Sequence, residues 1–358
     1  MKKVLIISYY YPPCIKSGSQ RALRLGKYLP QFGIQPVILT ATKPLCNRID
    51  PDSAPDNLEI YRAKEFFPFK NNKTVFGKLF GKIWRTISLV DNHLFWVPFV
   101  YMKGIDIVRK HQIDVLFITG YPFSTFIAGY LLRKRTRVPY CIDYRDPWLS
   151  NPVFLRNKNL SLLRRIEKLC IKHASLVFAA TTVILEDIFQ NYPQCKSKVR
   201  TFTYSYDPVE FISRHHEEAK KSQKLFLLSV GSVYDDTLGD RFLQALSDLA
   251  DENIIHESDF EFKNFGNLNL SNPIPVMLKH MVEIHSYIPR QQVFEKMKNC
   301  DGLILIHGSG ETVAKCYPGR MFEYFAAEKP ILYIGPAGIA AESVNQAGGM
   351  AITESNWP

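Results

Sequence analysis

Short apolar runs of strand length recur along this chain with helical stretches between them, and that alternation restricts the fold more than any other feature. "KVLIISY", "QPVILTA", "DVLFIT", "PYCIDY", "SLVFAA" and "KVRTFTY" occupy the first part, followed by "KLFLLSVG", "HMVEIHSYI", "DGLILIH" and "KPILYIG". Strands rich in Val, Ile and Leu that alternate with helices are buried on both faces, and the helical crossovers keep them parallel. The expectation is an α/β protein of doubly wound, Rossmann-like parallel sheets. At 358 residues, 46% of them hydrophobic, the chain exceeds the roughly 250 to 300 residues that one core supports, so two tandem domains are expected. The polar stretch "DPVEFISRHHEEAKKSQK" has no core face and separates the two sets of strands. It places an N-terminal domain at 1–207, a linker at 208–224 and a C-terminal domain at 225–358. Sheets of this kind bind ligands beyond the carboxyl ends of their strands, here in an expected cleft between the domains.

The opening "MKKVLIISYYYPP" stops being apolar at Ile7, short of the roughly 7 to 15 residues of a signal-peptide core, and reads as a buried first strand. No window approaches the roughly 20 apolar residues of a spanning helix, so a soluble or peripheral protein in the cytoplasm is expected. Seven cysteines lie far apart without a CxxC pair, which points to neither a disulfide framework nor a zinc site, and no metal is expected. The formal charge of +11 calls for an anionic partner. A nucleic-acid partner is not expected, because no basic and aromatic stacking platform is present. From Arg62 to Lys110 the chain carries ten Lys or Arg against three acids. There Phe76, Leu79, Phe80, Ile83 and Ile87 recur at helical spacing, with Lys73, Lys78, Lys82 and Arg85 mostly off the stripe. Such a helix either rests on an anionic membrane, here the inner face of the plasma membrane, or packs on its own domain.

Four stretches carry candidate chemistry. Gly18 and Ser19 precede a helix with Arg21 in its first turn, an arrangement that presents backbone N–H groups to an anion or simply caps the helix. "YCIDYRDPWLS" puts Asp143, Arg145, Asp146 and Trp148 at the carboxyl end of a buried strand, where charges form either a site or a self-satisfying Asp–Arg pair. "TGYPFSTFIAG" ends a strand at Gly120 and offers Ser124 or Thr125 as a helix cap. "KCYPGRMFEYFAAEKPILYIGP" sets Pro318 and Gly319 where a helix begins, so N–H groups near Gly319 to Met321 and the charge of Arg320 offer an anion site. Glu323, about one turn later on an otherwise apolar helix, suits hydroxyls rather than phosphate. Donors for a diphosphate beside an acceptor for a ribose diol fit a nucleotide, although a glutamate there also complements the helix dipole. His307 follows "LILI" at a strand end, as a contact to ligand or as a structural histidine.

In their order and spacing, these stretches resemble the family 4 glycosyltransferases, retaining enzymes of the GT-B fold, over nearly the whole chain. "ISYYYPPCIKSGSQRALRLGKYLPQFGIQPVILT" is similar to the family's opening strand, loop and helix. "CIDYRDPW" resembles a branch with an Asp-aromatic-Arg-Asp-Pro-Trp motif, and "VEIHSYIPRQQVFEKMKNCDGLILI" with "PGRMFEYFAAEKPILYIGP" resembles the donor-side half. The resemblance implies that Glu323 holds the donor ribose and that Gly319, Arg320 and Met321 cradle the diphosphate. It implies further donor contacts from Gly18, Gly231 and His307, and catalytic roles for Arg145, Asp146 and Arg320. Cys316 stands seven residues before Glu323, where many relatives have a first glutamate. After "LLSVGSVY" the expected basic pair is replaced by "DDTLGDR", whose one cation is Arg241. The chain stops at Pro358 where relatives continue, so the C-terminal domain is expected to be incomplete. The implied activity is metal-independent hexosyl or related sugar transfer from a nucleotide diphosphate sugar to a glycan or lipid-linked acceptor in surface polysaccharide biosynthesis, with no cofactor besides that donor substrate. Two rivals are a nucleotide-sugar epimerase of the same fold and a degenerate GT-B binding subunit.

Overall fold

The computed structural model describes residues 1–14, 17–42, 58–65, 90–151, 159–211, 224–233 and 236–357. The chain divides into two compact units, Met1–Thr203 and Tyr204–Pro358. Within the expected linker, Pro208–Phe211 is a short helix of the second unit, and 212–223 lie outside the described residues.

In the first unit, β1 (Lys2–Ser8), β2 (Ile34–Ala41), β3 (Glu59–Ala63), β4 (Val115–Gly120), β5 (Tyr140–Tyr144), β6 (Leu176–Ala179) and β7 (Val199–Thr201) form one sheet. Its order is β3-β2-β1-β4-β5-β6-β7, and every pairing is parallel. Parallel strands need long crossovers, which the helices Ser17–Tyr28, Val97–His111, Ser124–Thr136, Leu160–His173 and Thr182–Asn191 supply. Asn159 and Thr181 cap two of these helices by accepting the amides of Leu162 and Ile184. Leu5, Ile6 and Ile7 of β1 and Leu116 and Ile118 of β4 are fully buried. The strand order reverses between β1 and β4, which opens a crevice at their carboxyl ends.

The second unit repeats this plan with β8 (Leu225–Val230), β9 (Phe260–Phe265), β10 (Val282–His285), β11 (Gly302–Ile306), β12 (Ile331–Ile334) and β13 (Met350–Ile352). They form a parallel sheet ordered β10-β9-β8-β11-β12-β13, which reverses between β8 and β11. Alternate residues of β11 feed opposite layers, as the two-residue period of a strand requires. Leu303 and Leu305 pack with Phe294, Met297, Met321 and Tyr324, whereas Ile304 and Ile306 pack with Leu238, Phe242 and Phe262. Both parallel-sheet units are therefore Rossmann-like. The strands β3, β9 and β13 were not anticipated from sequence.

Cys14 is disulfide-bonded, whereas Cys141, Cys170, Cys195, Cys300 and Cys316 are free. A disulfide at Cys14 was not anticipated, since separation along the chain does not measure separation in the fold. Among the described residues, no helix is long and apolar enough to cross a membrane, and no group of three His, Cys, Asp or Glu can hold a metal ion.

Candidate functional site

At the strand reversal of the second unit, Arg320 joins the two central strands. Its Nη1 donates to the carbonyls of Val230 (2.8 Å) and Ser232 (3.1 Å), and its Nη2 to that of Ile306 (2.5 Å). A positive charge is thereby fixed at the carboxyl ends of β8 and β11, with an Nε that is buried and has no hydrogen-bond partner among the described residues. Gly231 makes room for it with a left-handed backbone of φ +97°. The Tyr324 hydroxyl locks the same strands by accepting the Val230 amide (2.8 Å) and donating to the Ile304 carbonyl (3.3 Å). Gly319 lies in the turn that starts the helix Met321–Ala326, where the Met321 amide donates to the Pro318 carbonyl (2.9 Å). His307, just past β11, has Nδ1 3.2 Å from the Tyr333 hydroxyl. Burial, assisted by the Arg320 charge, lowers its pKa from 6.5 to about 3, so the imidazole is neutral at physiological pH.

Glu323 lies on the first turn of Met321–Ala326 with a side chain only 12% exposed. Its Oε1 accepts from Arg290 Nη2 at 2.5 Å. Arg290 also engages Glu210 through Nε (2.7 Å) and Nη2 (2.8 Å). Neither partner was singled out from sequence: Glu210 falls in the stretch read as linker, and Arg290 opens the helix Arg290–Asn299 as an ordinary polar residue. The first-turn position of a cation, where the helix dipole does not favour it, was the available signal.

The first unit gathers a second constellation where its own sheet reverses. Arg145, just past β5, donates from Nε to the Gly120 carbonyl and from Nη2 to the Tyr121 carbonyl, both at 2.6 Å. Its guanidinium also lies against Gly18. Asp143 pairs not with its neighbour Arg145 but with Arg21, whose Nε lies 3.4 Å from Oδ2, and it accepts from Thr119 Oγ1 at 2.8 Å. Both charges are buried, as a mutual ion pair permits. Asp146 is half-buried, and burial raises its carboxyl above the ordinary range against the lowering influence of Arg145. Trp148 is stacked on Phe123 at 4.9 Å, fixing the loop that carries Arg145 and Asp146. Behind that loop, a small cavity is lined by Tyr144, Pro147, Trp148, Glu167 and Tyr192. There the Glu167 carboxyl accepts from the hydroxyls of Tyr144 (3.0 Å) and Tyr192 (2.7 Å), and burial raises its pKa from 4.5 to about 7.

The helix Ser124–Thr136 is capped neither by Ser124 nor by Thr125. Asp91 Oδ2 accepts the Ser124 amide at 2.7 Å, and Thr125 Oγ1 donates to the Pro122 carbonyl. Asp91 also accepts the His93 amide (2.9 Å), while Glu65 bridges His93 Nδ1 (3.0 Å) and the Tyr9 hydroxyl. Burial pushes the nearby Tyr10 hydroxyl up to about 12. These groups converge only in the fold, from segments whose weak apolar patterning gave no reason to join them.

Residues 18–194 match the model of the glycosyl transferase 4-like domain. The match begins at Gly18, includes Arg145 and Asp146, and lies wholly within the first unit. No curated protein matches the sequence. Among solved structures, a glycosyltransferase from Rickettsia africae is similar with a TM-score of 0.66 and 15% identity, covering 99% of this chain and 85% of its own. The Anabaena protein HepE, in complex with UDP, is similar with a TM-score of 0.63 and 13% identity over 99% of this chain and 86% of its own. A UDP-GlcNAc 2-epimerase from Neisseria meningitidis, bound to UDP-GlcNAc, gives 0.52 and 13% over 98% and 87%. These likenesses span nearly the whole chain and identify the fold as GT-B.

Proposed function

We propose that the protein is a retaining glycosyltransferase that moves a sugar from a nucleotide diphosphate sugar to a glycan or lipid-linked acceptor in surface polysaccharide biosynthesis. One observation carries this reading: Arg320 and Glu323, three residues apart, set a positive charge at the β8/β11 reversal and a carboxylate one turn beyond it. The glycosyl transferase 4-like match of the first unit supports it, as does the UDP found in the Anabaena relative of the same fold. In this reading Glu323 accepts the ribose hydroxyls, and the Arg320 charge stabilises the leaving diphosphate without a metal ion. Gly231, Gly319, Met321 and His307 line the donor in the second unit, and the family resemblance adds Gly18 of the first unit as a donor contact. Arg145 and Asp146 act on the acceptor-side unit. The bond from the anomeric carbon to the diphosphate oxygen breaks as the acceptor oxygen bonds that carbon on the same face. The acceptor proton passes to the departing diphosphate, so the protein's main contribution is positioning and charge.

A lipid-linked acceptor would bring the stretch 62–110 to an anionic membrane. Its apolar stripe from Phe76 to Ile87 lies outside the described residues. Three of its described cations are engaged within the first unit, because Lys103 Nζ donates to the Arg62 carbonyl, Arg62 to that of Pro12 and Lys110 Nζ to the Tyr61 hydroxyl. The epimerase reading has the Neisseria relative in its favour. The binding-subunit reading has Cys316 and the absent basic pair. Incubating the protein with a panel of nucleotide diphosphate sugars, with and without glycan acceptors and EDTA, separates the three. Transfer with retained configuration, dependent on acceptor and indifferent to EDTA, is expected. A free epimerised sugar without acceptor would establish the epimerase, and binding without turnover the scaffold.

A further inference from the structure

We propose that Arg290 is the positioning residue of the donor carboxylate: it aims Glu323, and Glu210 in turn aims Arg290. The inference rests on the reading of Glu323 as the ribose acceptor and assigns a task to residues that this reading leaves unused. Glu323 stands in the first turn of a helix of six residues, whose backbone fixes the direction of its Cβ but not that of its carboxylate. The orientation comes instead from Arg290, which is held from several sides. Two hydrogen bonds tie its guanidinium to Glu210, its Cζ lies 4.7 Å from the centroid of the Phe294 ring, and the Phe211 ring packs on that ring with centroids 4.5 Å apart. Phe294 belongs to the same buried cluster as Met321 and Tyr324. A guanidinium fixed by a fork on one side has a defined N–H direction on the other, and here that direction ends on Glu323 Oε1.

An ion pair serving stability alone would be complete with Arg290 and Glu210. The second carboxylate on the same cation is held in a fixed direction by the Nη2 bond. A carboxylate accepts about four hydrogen bonds, so the bond from Arg290 does not by itself bar a diol from it. Lysine at 290 would keep the charge but lose the fork, and with it the fixed direction.

The test measures the binding of UDP, GDP and ADP against their 2′,3′-dideoxy analogues by calorimetry, in the full chain and its variants. Wild-type protein is expected to prefer the ribose form of at least one nucleotide, and Glu323→Gln to lower that preference about tenfold. Arg290→Gln is expected to lower it to a similar extent, with dideoxy binding nearly unchanged. Glu210→Gln should move it in the same direction by less. Arg290→Gln combined with Glu323→Gln should lose no more than Glu323→Gln alone. Arg290→Lys, a variant that retains the charge should Arg290→Gln not fold, is expected to fold and to lose part of the preference. Ribose preference that survives in Arg290→Lys and Arg290→Gln while Glu323→Gln abolishes it overturns the positioning role and leaves the ribose reading intact. Preference unaffected by Glu323→Gln, or no wild-type binding of any of the three nucleotides, overturns both.

Discussion

The guanidinium of Arg320 occupies the space that a side chain on Gly231 would need, with Nη1 2.7 Å from the ideal Cβ position. Because the same guanidinium is tied to carbonyls on both central strands, it cannot swing aside without breaking those bonds. Gly231→Ala therefore meets two costs, a left-handed backbone of about 1 to 3 kcal/mol and displacement of the charge proposed to face the diphosphate. Thermal denaturation should shift downward and affinity for a nucleoside diphosphate should fall more than affinity for the nucleoside. Equal losses for both ligands would separate Arg320 from the phosphate.

Gly18 meets the same situation on the first sheet, where a Cβ would lie 2.5 Å from Arg145 Nη1. Here the backbone is not left-handed, so the conflict is purely one of space. Gly18→Ala should depress turnover by about tenfold or more, the worth of one charged hydrogen bond, with little change in thermal midpoint. If the effect runs through Arg145, then Arg145→Ala combined with Gly18→Ala should be no worse than Arg145→Ala alone. Additive losses would show that the start of the helix at Gly18 acts by itself.

Glu167 gives the first unit a pH dependence of definite sign. The unfolded carboxyl ionises near 4.5 and the folded one near 7, so between these values the native state holds the extra proton. Stability contributed by this group is present below pH 4.5 and is lost as pH rises through 7, by roughly 3 kcal/mol. Urea denaturation at stepped pH should show the decline, and Glu167→Gln should flatten it. A slope that persists in Glu167→Gln would assign it to another group.

His307 works in the opposite direction in the second unit. Its folded pKa of about 3 lies below the unfolded 6.5, so the native state excludes a proton that the unfolded chain accepts. Stability from this group is present above pH 6.5 and is lost as pH falls toward 3. His307→Gln should remove that acid sensitivity, read by the same denaturation series, while leaving the Glu167 slope in place.

Membrane docking through the basic aromatic stretch has its own measurement. Co-sedimentation with vesicles should require anionic lipid, weaken as salt rises, and diminish when Lys78, Lys82 and Arg85 are changed to Glu. Binding that ignores those three charges would return the stripe to the protein's interior.

The strands at the centre of each sheet were legible because they are buried on both faces and read as unbroken apolar runs, as in Leu5 to Ile7 and Leu303 to Ile306. The missed strands sit away from the centre or at an edge and are mixed in composition. In β9 the phenylalanines alternate with Glu261, Lys263 and Asn264, so no continuous run announces it. The site was legible where chemistry and local structure coincide along the chain, as at Arg320 and Glu323. It was opaque where partners meet only through topology. Nothing in the sequence joins Asp143 to Arg21, Asp91 to the start of a helix at Ser124, or Glu210 to Arg290.

Because every strand pairing among the described residues is parallel, neither sheet contains a hairpin on which to begin assembly. The central pairing of the first unit joins Val4 to Val115, and that of the second joins Leu227 to Gly302. During synthesis β1 finds β2 early, but its other edge must wait for β4 until more than a hundred further residues have been made. Such high contact order slows folding and prolongs exposure of a sticky strand edge. The second unit, whose central strands close a shorter loop, leaves such an edge open for less of its synthesis.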